Sequence, residues 1–359
     1  MPISAIDAIS PAFHHTKQQL LQPLRMAQWA KLALVGLLAG ELSSGGCNGG
    51  NFHMPSHSGS GQQFVASGLP NIDPMMLVPL IGILIVIGTV LWLFFLYLSS
   101  VMRFVLFDSV ISKRCEIRLY WARRHSAGLR YFVWQLLLLL AMVAGLAILV
   151  GIPAALAFAA GWLKDPRQHT VPLILGGMLL FFVVMSFIVL SLVVHVLTKD
   201  FVVPAMALEN IGAIKGWQRL WPMLKSEKGS YAGYIGMKIV MALGTAVVVG
   251  IITVIVVIIL LIPVGGFGVI AVLGGKAAGL TWNLYTISLA VIVGCIVLAI
   301  LLYVVSLISV PAIVFFPAYS IYFFASRYPA LEAFLHPTPP IPPYVPPPPF
   351  LPPEAEPIG

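Results

Sequence analysis

The sequence predicts an all-α fold: a polytopic helical membrane bundle of about six transmembrane helices, with amphipathic interfacial helices on the cytoplasmic side. Three observations carry that prediction. The chain is 60% hydrophobic and only 9% charged over 359 residues, with a mean hydropathy of +1.00. A soluble domain carries about a quarter charged residues, so this chain cannot cover its surface with polar groups in water. Five apolar runs are each long enough to cross a bilayer as a helix, which needs ~20 residues. Finally, lysine and arginine crowd into alternate connecting segments, as the positive-inside rule requires.

The elements follow in chain order. Residues 1–26 form a cytoplasmic amphipathic segment, with Phe13, Leu20, Leu21 and Leu24 available to one surface face. The membrane domain, residues 27–335, opens with "AQWAKLALVGLLAGELSSGG". Its apolar heart is nine residues, 32–40, flanked by Lys31 and Glu41. By length alone it fits a short span, a surface helix or the apolar region of a signal peptide. Residues 43–68 are rich in Gly, Ser and Asn and form an external loop. The strong runs are 75–99, 131–162, 171–198, 239–262 and 284–325. Pro153 should tilt or kink the second, and Pro263 should end the fourth. Pro311 and Pro317 should mark where the last span gives way to an interfacial or re-entrant piece. Residues 336–359 are "HPTPPIPPYVPPPPFLPPEAEPIG". They read as a disordered polyproline II tail, a ligand for an aromatic-lined groove if a partner protein supplies one.

Charge sets the topology. Residues 99–131 hold seven basic side chains and residues 198–239 hold six, whereas residues 41–73 hold none. Putting the basic segments inside places 17 of the 20 Lys and Arg residues in the cytoplasm. The short first segment must then cross, giving six spans in the cytoplasmic membrane with both termini inside. The net charge of +8 follows this topology and is no sign of nucleic acid.

The segment "MALENIGAIKGWQRLWPMLKSEKGSY", residues 206–231, stands out between two apolar runs. As a helix it puts Ile211, Ile214, Trp217, Leu220, Trp221 and Leu224 on one face, with Lys215, Arg219 and Lys225 on the other side. That is the layout of a helix lying in the membrane plane, indoles at headgroup depth and cations toward anionic lipid. Residues 101–125 repeat the theme: Phe104, Phe107, Ile111, Cys115 and Leu119 share a face, with Arg114 and Arg118 elsewhere and Arg123 and Arg124 beyond. Trp217, Trp221, Lys215, Arg219, Arg114, Arg118, Arg123 and Arg124 are therefore the expected headgroup contacts. Each basic residue near the surface contributes about 1 kcal/mol toward anionic lipid.

The run "FVVPAMALENIGAIKGWQRLWPMLKSEKGSYAGYIGMKIV" resembles the core signature of the glycerophosphodiester phosphodiesterase membrane-domain group and of uncharacterised bacterial and archaeal multi-pass proteins. The matching positions are Pro204, Glu209, Gly212, Ala213, Trp217, Arg219 and Leu220. The resemblance implies a span ending in proline, then an amphipathic helix, then the next span. In that group the phosphodiesterase chemistry belongs to a separate soluble domain, which this sequence does not contain, so the resemblance implies no enzymatic activity.

Chemistry is sparse. No catalytic triad, carboxylate pair or HExxH pattern occurs, and Asp and Glu, twelve in all, fall in expected loops or at span edges. No ionisable group falls near mid-depth of the strong runs, which argues against ion-coupled transport. His195 and Lys238 lie near span ends, where long side chains reach water. "GGFGVIAVLGGKAAG" lacks the first glycine and the Ser/Thr of a phosphate-binding loop. Cys47, His53, Met54 and His57 are weak candidates for copper or zinc in a loop without a rigid outer shell. The expectation is a protein without cofactor or catalysis that organises anionic lipid or a partner protein. The alternative is a transporter or flippase for an amphipathic substrate.

Overall fold

A computed structural model describes residues 3–22, 25–41, 74–162, 168–277, 279 and 284–335. The external loop with Cys47, His53, Met54 and His57, the residue Leu24 and the proline-rich tail lie outside the described residues. Among the described residues every regular element is helical: α1 (Ile9–Leu21), α2 (Met26–Leu38), α3 (Pro74–Ser112), α4 (Ile117–Ala159), α5 (Thr170–Leu197), α6 (Val203–Glu209), α7 (Ala213–Ser226), α8 (Lys228–Ala277), α9 (Leu284–Ala325) and α10 (Pro329–Leu335). A five-residue π-turn, Thr198–Val202, joins α5 to α6 without a break.

Among the described residues, five helical segments are long and apolar enough to cross a membrane: Ile81–Ser112, Ile117–Ala159, Thr170–Glu209, Lys228–Gly275 and Tyr285–Ala325. The apolar helix α2 has 13 residues. At about 1.5 Å per residue it reaches about 20 Å, short of the ~30 Å hydrocarbon core.

The long helices overrun the expected boundaries. α4 starts at Ile117, not near residue 131, and α5 continues through the π-turn to Glu209, beyond residue 198. α8 passes through Pro263, and α9 passes through both Pro311 and Pro317. A proline costs a helix one hydrogen bond and a steric adjustment. Long apolar helices absorb that cost, because unwinding in lipid would expose many more backbone groups.

The buried core lies at one end of these helices. In α3 the side chains of residues 83–92 are exposed, whereas Val101–Phe107 are all buried. The same change occurs in α5 near Leu197 and in α9 near Ser306. Neighbouring helices pair antiparallel across this end. In α3/α4, Ser100 bonds to Gln135 at 2.7 Å and Ser112 to Tyr120 at 2.8 Å. Gly128 makes that approach feasible: a Cβ there would stand 2.9 Å from the Val101 Cα. In α8/α9, Tyr234 stacks on Tyr319, with 5.0 Å between centroids. Phe201 fills the centre against Tyr231, Tyr234, Phe323 and Phe324.

The N-terminal helices pack on α9. Tyr319 donates to the Ala5 carbonyl, and Ser306 and Tyr303 donate to the carbonyls of Ala33 and Ala30. The face of α1 that packs is Ala8, Ala12, His15, Gln19 and Leu20, whereas Phe13 is 64% exposed. The expected face of Phe13, Leu20 and Leu21 is thus divided between core and surface. Residues 101–125 likewise form the ends of α3 and α4, and Phe104, Phe107 and Cys115 belong to the core.

Candidate functional site

The π-turn is the local feature that builds the site. It inserts a residue into the helical repeat, a distortion frequent at functional positions. Its Lys199 and Asp200 are adjacent in sequence but take separate partners. Lys199 Nζ lies 2.5 Å from Oε2 of Glu41, a residue just past the end of α2. Asp200 Oδ2 accepts from Tyr234 OH at 2.9 Å and from Lys238 Nζ. Arg103 of α3 completes the group. Its Nη1 donates to Tyr131 OH at 2.5 Å and its Nη2 to the Ala39 carbonyl at 3.2 Å, while its Nε lies 3.9 Å from Glu41 Oε1.

Five charged side chains, from the end of α2, from α3, from the π-turn and from α8, therefore meet in the interior. Glu41 is 2% exposed and Arg103 8%. They line a cavity of about 30 Å³ whose apolar wall is Leu106, Phe107 and Phe316. This corrects three expectations. The acidic residues are not confined to loops and span edges, since Asp200 lies inside a continuous helix. Glu41 does not stand at the mouth of an outer loop; it is an interior ion-pair partner. Lys238, expected to reach toward water, is instead bound to Asp200.

A second set of contacts ties the C-terminal end of the described fold to the Trp-bearing segment. Glu209 accepts from Tyr328 OH and pairs with Arg219 at 3.1 Å. Burial, and then the hydrogen bond to Glu209, push the Tyr328 phenol well above its ordinary value. Arg327 bonds to Glu227 at 2.9 Å and lies 4.0 Å over the Phe323 ring. Asn210 ends α6 in the left-handed region, with a φ of 53°. Asparagine tolerates that conformation because its short polar side chain can hydrogen-bond locally. Its carbonyl and Oδ1 accept from Arg130 at 2.7 and 2.8 Å.

The motif positions fall along this path. Pro204 follows directly on the π-turn, where its missing N–H leaves a carbonyl of that turn without its helical partner. Gly212 is the N-cap of α7 and Ala213 its first, buried residue. On α7, Ala213, Gly216 and Leu220 are buried, and Gly216 comes so close to Val202 that a Cβ would lie 2.7 Å from its side chain. Trp217 turns inward and donates to Thr198 Oγ1 at 3.1 Å. Trp221 is 51% exposed, as is Ile214 at 63%, and Lys225 sits over the Trp221 ring at 5.4 Å. Lys215 and Arg219 are exposed as well. The two tryptophans, expected to act alike, thus divide: one holds the fold and one faces out.

The arginines divide the same way. Arg114, Arg118 and Arg123 are exposed. Arg124 makes a two-pronged contact with Asp108, 2.7 and 2.9 Å, and donates to the Ala207 carbonyl. Among the described residues no group of His, Cys, Asp and Glu is arranged to hold a metal. The interior cluster can neutralise and hold a small charged or strongly polar species, because its lysines have donors beyond those engaged by their carboxylates.

Residues 3–334 match a family described as "Family of unknown function (DUF7544)". No curated protein and no solved structure matches the chain. The family match makes no link to the glycerophosphodiester phosphodiesterase group. It extends over nearly the whole chain, core and spans alike, and the protein belongs to this family of uncharacterised proteins.

Proposed function

We propose that this membrane protein is non-catalytic, and that it organises anionic lipid at the cytoplasmic face through its basic, tryptophan-bearing helix α7. The observation that supports this most is the division of α7. One side is fixed to the core by Ala213, Gly216 and Leu220, leaving Ile214 and Trp221 exposed beside Lys215 and Lys225. Apolar and aromatic groups flanked by cations match the chemistry of a headgroup layer. Arg114, Arg118 and Arg123 are exposed cations as well. Nitroxide labels at positions 214 and 221, in proteoliposomes, should report headgroup depth. Water-like exposure at both positions contradicts the proposal.

The finer topology is part of the proposal: the chain lies in the cytoplasmic membrane with the basic ends of its long helices and both termini inside. The asymmetry of Lys and Arg supports it. We place the end of α2 on that same side, because Glu41 pairs there with Lys199 and Arg103, and α2 is therefore not counted as a crossing. A single cysteine introduced at position 225 of α7 tests the orientation: an impermeant thiol reagent should label it only after lysis, and labelling from outside intact cells would overturn this arrangement. Kinship with glycerophosphodiester phosphodiesterase membrane domains rests on the run from Pro204 to Leu220 and extends only to the shared helix arrangement. A protein partner for the proline-rich tail is a further part of the reading, supported by composition alone.

Transport of an amphipathic substrate is the second reading. The buried charges at the ends of the spans favour it, because ionisable groups in such places commonly mark translocation paths. The glycine-rich end of α8 and the prolines of α9 would then supply the moving parts. Proteoliposomes that show no substrate-dependent flux across a lipid and metabolite panel would remove it.

A further inference from the structure

We propose that the interior cavity lined by Glu41, Arg103, Lys199, Asp200 and Lys238 is a binding site for one small inorganic anion of halide size. The first argument is charge. The cluster holds three cations and two carboxylates. Lys199 is matched by Glu41 and Lys238 by Asp200, which leaves the Arg103 guanidinium in surplus among the described residues. Its Nη donors go to neutral oxygens, those of Tyr131 and Ala39, which bring no negative charge. A buried surplus charge is costly unless a counter-charge is close by.

The second argument is an orphaned donor. Arg103 is 8% exposed, yet its Nε–H makes no hydrogen bond among the described residues; the Glu41 oxygen at 3.9 Å is too far. Buried polar groups without a partner are rare and point to something that completes them. Arg103 lines the cavity together with both lysines. The third argument is size. One water molecule needs roughly 10–15 Å³ of accessible space. The cavity offers about 30 Å³, room for a single particle somewhat larger than water. A monatomic anion fits such a space more closely than a tetrahedral oxyanion or a lipid headgroup. A water molecule would satisfy the Nε–H but leave the surplus charge uncompensated. This site does not involve the exposed side of α7, so it stands or falls apart from the lipid reading.

Full-length protein in lipid nanodiscs tests the site. The thermal unfolding midpoint would be followed as sodium gluconate is replaced by sodium bromide at constant ionic strength and pH. The expected result is a saturable rise with halide that sulfate does not reproduce. Chloride-35 NMR should show excess line broadening over empty nanodiscs, displaced by bromide. Arg103→Gln removes the surplus charge and should abolish both responses. If that variant does not fold, the NMR measurement on the unaltered protein decides alone. No excess broadening, a midpoint indifferent to halide, or a folded Arg103→Gln protein with the full response would each overturn the proposal.

Discussion

Glu41 and Lys199, 158 positions apart in the chain, meet as a buried ion pair with 2.5 Å between carboxylate oxygen and ammonium nitrogen. The pair joins the end of α2 to the π-turn and brings both to Arg103. Removing Glu41 leaves the Lys199 ammonium buried without its carboxylate, which costs roughly 3–5 kcal/mol. Glu41→Leu should destabilise the protein by about that much, and Lys199→Met by less, because Arg103 lies 3.9 Å from Glu41 and keeps a cation beside the carboxylate. The double variant should lose less than the sum of the two, because the stranded ammonium is gone. Unfolding in detergent micelles measures the cycle; strictly additive losses would mean that the pair is not coupled.

Gly128 sets the distance between α3 and α4. A Cβ at this position meets the Val101 backbone at 2.9 Å and its side chain at 2.5 Å. A backbone atom cannot swing away, so Gly128→Val forces the helices apart. The expected loss is about 1–3 kcal/mol, the usual cost of overpacking. Trimming Val101 to alanine should restore only part of it, which a paired unfolding experiment would show.

Trp217 and Trp221 should answer differently to the same change. Trp217 is packed against the core and donates to Thr198. Trp217→Ala should therefore cost about 3 kcal/mol, the lower end for a large aromatic cut to alanine. Trp221 faces out. Trp221→Ala should alter stability by about 0.5 kcal/mol or less, as surface substitutions usually do, while weakening retention of anionic lipid. Equal loss of stability in the two variants would contradict the division of α7.

His15 gives the N-terminal helix a pH response. Its Nε2 lies 2.8 Å from the Val110 carbonyl and its Nδ1 3.1 Å from Tyr322 OH. Burial pushes the imidazole below its ordinary value; the Val110 hydrogen bond opposes this and Lys113 adds to it. The folded protein thus favours neutral His15, while the unfolded chain takes up a proton near pH ~6.5. Between the folded and unfolded values the unfolded state binds more protons, so stability falls as pH falls. His15 is fully accommodated above about pH 6.5 and loses stability below it. Unfolding midpoints should drop as the pH is lowered from about 7.5 to about 5.5, and His15→Gln should flatten the slope. An unchanged slope in the variant would assign the response elsewhere.

Cys115 should resist thiol reagents in the folded state. It is buried between α3 and α4, and burial raises its thiol above the ordinary value, though a hydrogen bond with Ser109 and the charge of Lys31 pull it back. The reactive thiolate is therefore scarce as well as covered. Slow labelling that becomes fast on unfolding is the expected outcome.

The spans are legible in the sequence because a long apolar run has few alternatives in lipid. Helix α7 is legible as well, through its 3.6-residue pattern. The helix ends are not. Residues 99–131 and 198–239 carry enough charge to resemble loops, yet the helices continue because that charge is satisfied between elements. Arg124 goes to Asp108, Lys238 to Asp200 and Arg130 to Asn210. No local pattern reports such pairings. The interior site escapes the sequence for the same reason, since Glu41 and Lys199 each look like an ordinary flank of an apolar run. The adjacent opposite charges at Lys199 and Asp200, inside what proves to be unbroken helix, are the one local signal. The inward turn of Trp217 depends on Thr198, 19 residues away.

The most direct test of the central claim is lipid analysis after native extraction. Protein would be taken from its membrane in polymer nanodiscs, without detergent, and the retained lipids and proteins identified by mass spectrometry. A variant carrying Trp221→Ala, Lys215→Gln and Lys225→Gln would be treated alongside. Enrichment of anionic lipid over the bulk membrane, lost in the variant, is the predicted result. Retained lipid of bulk composition in both proteins would contradict the account.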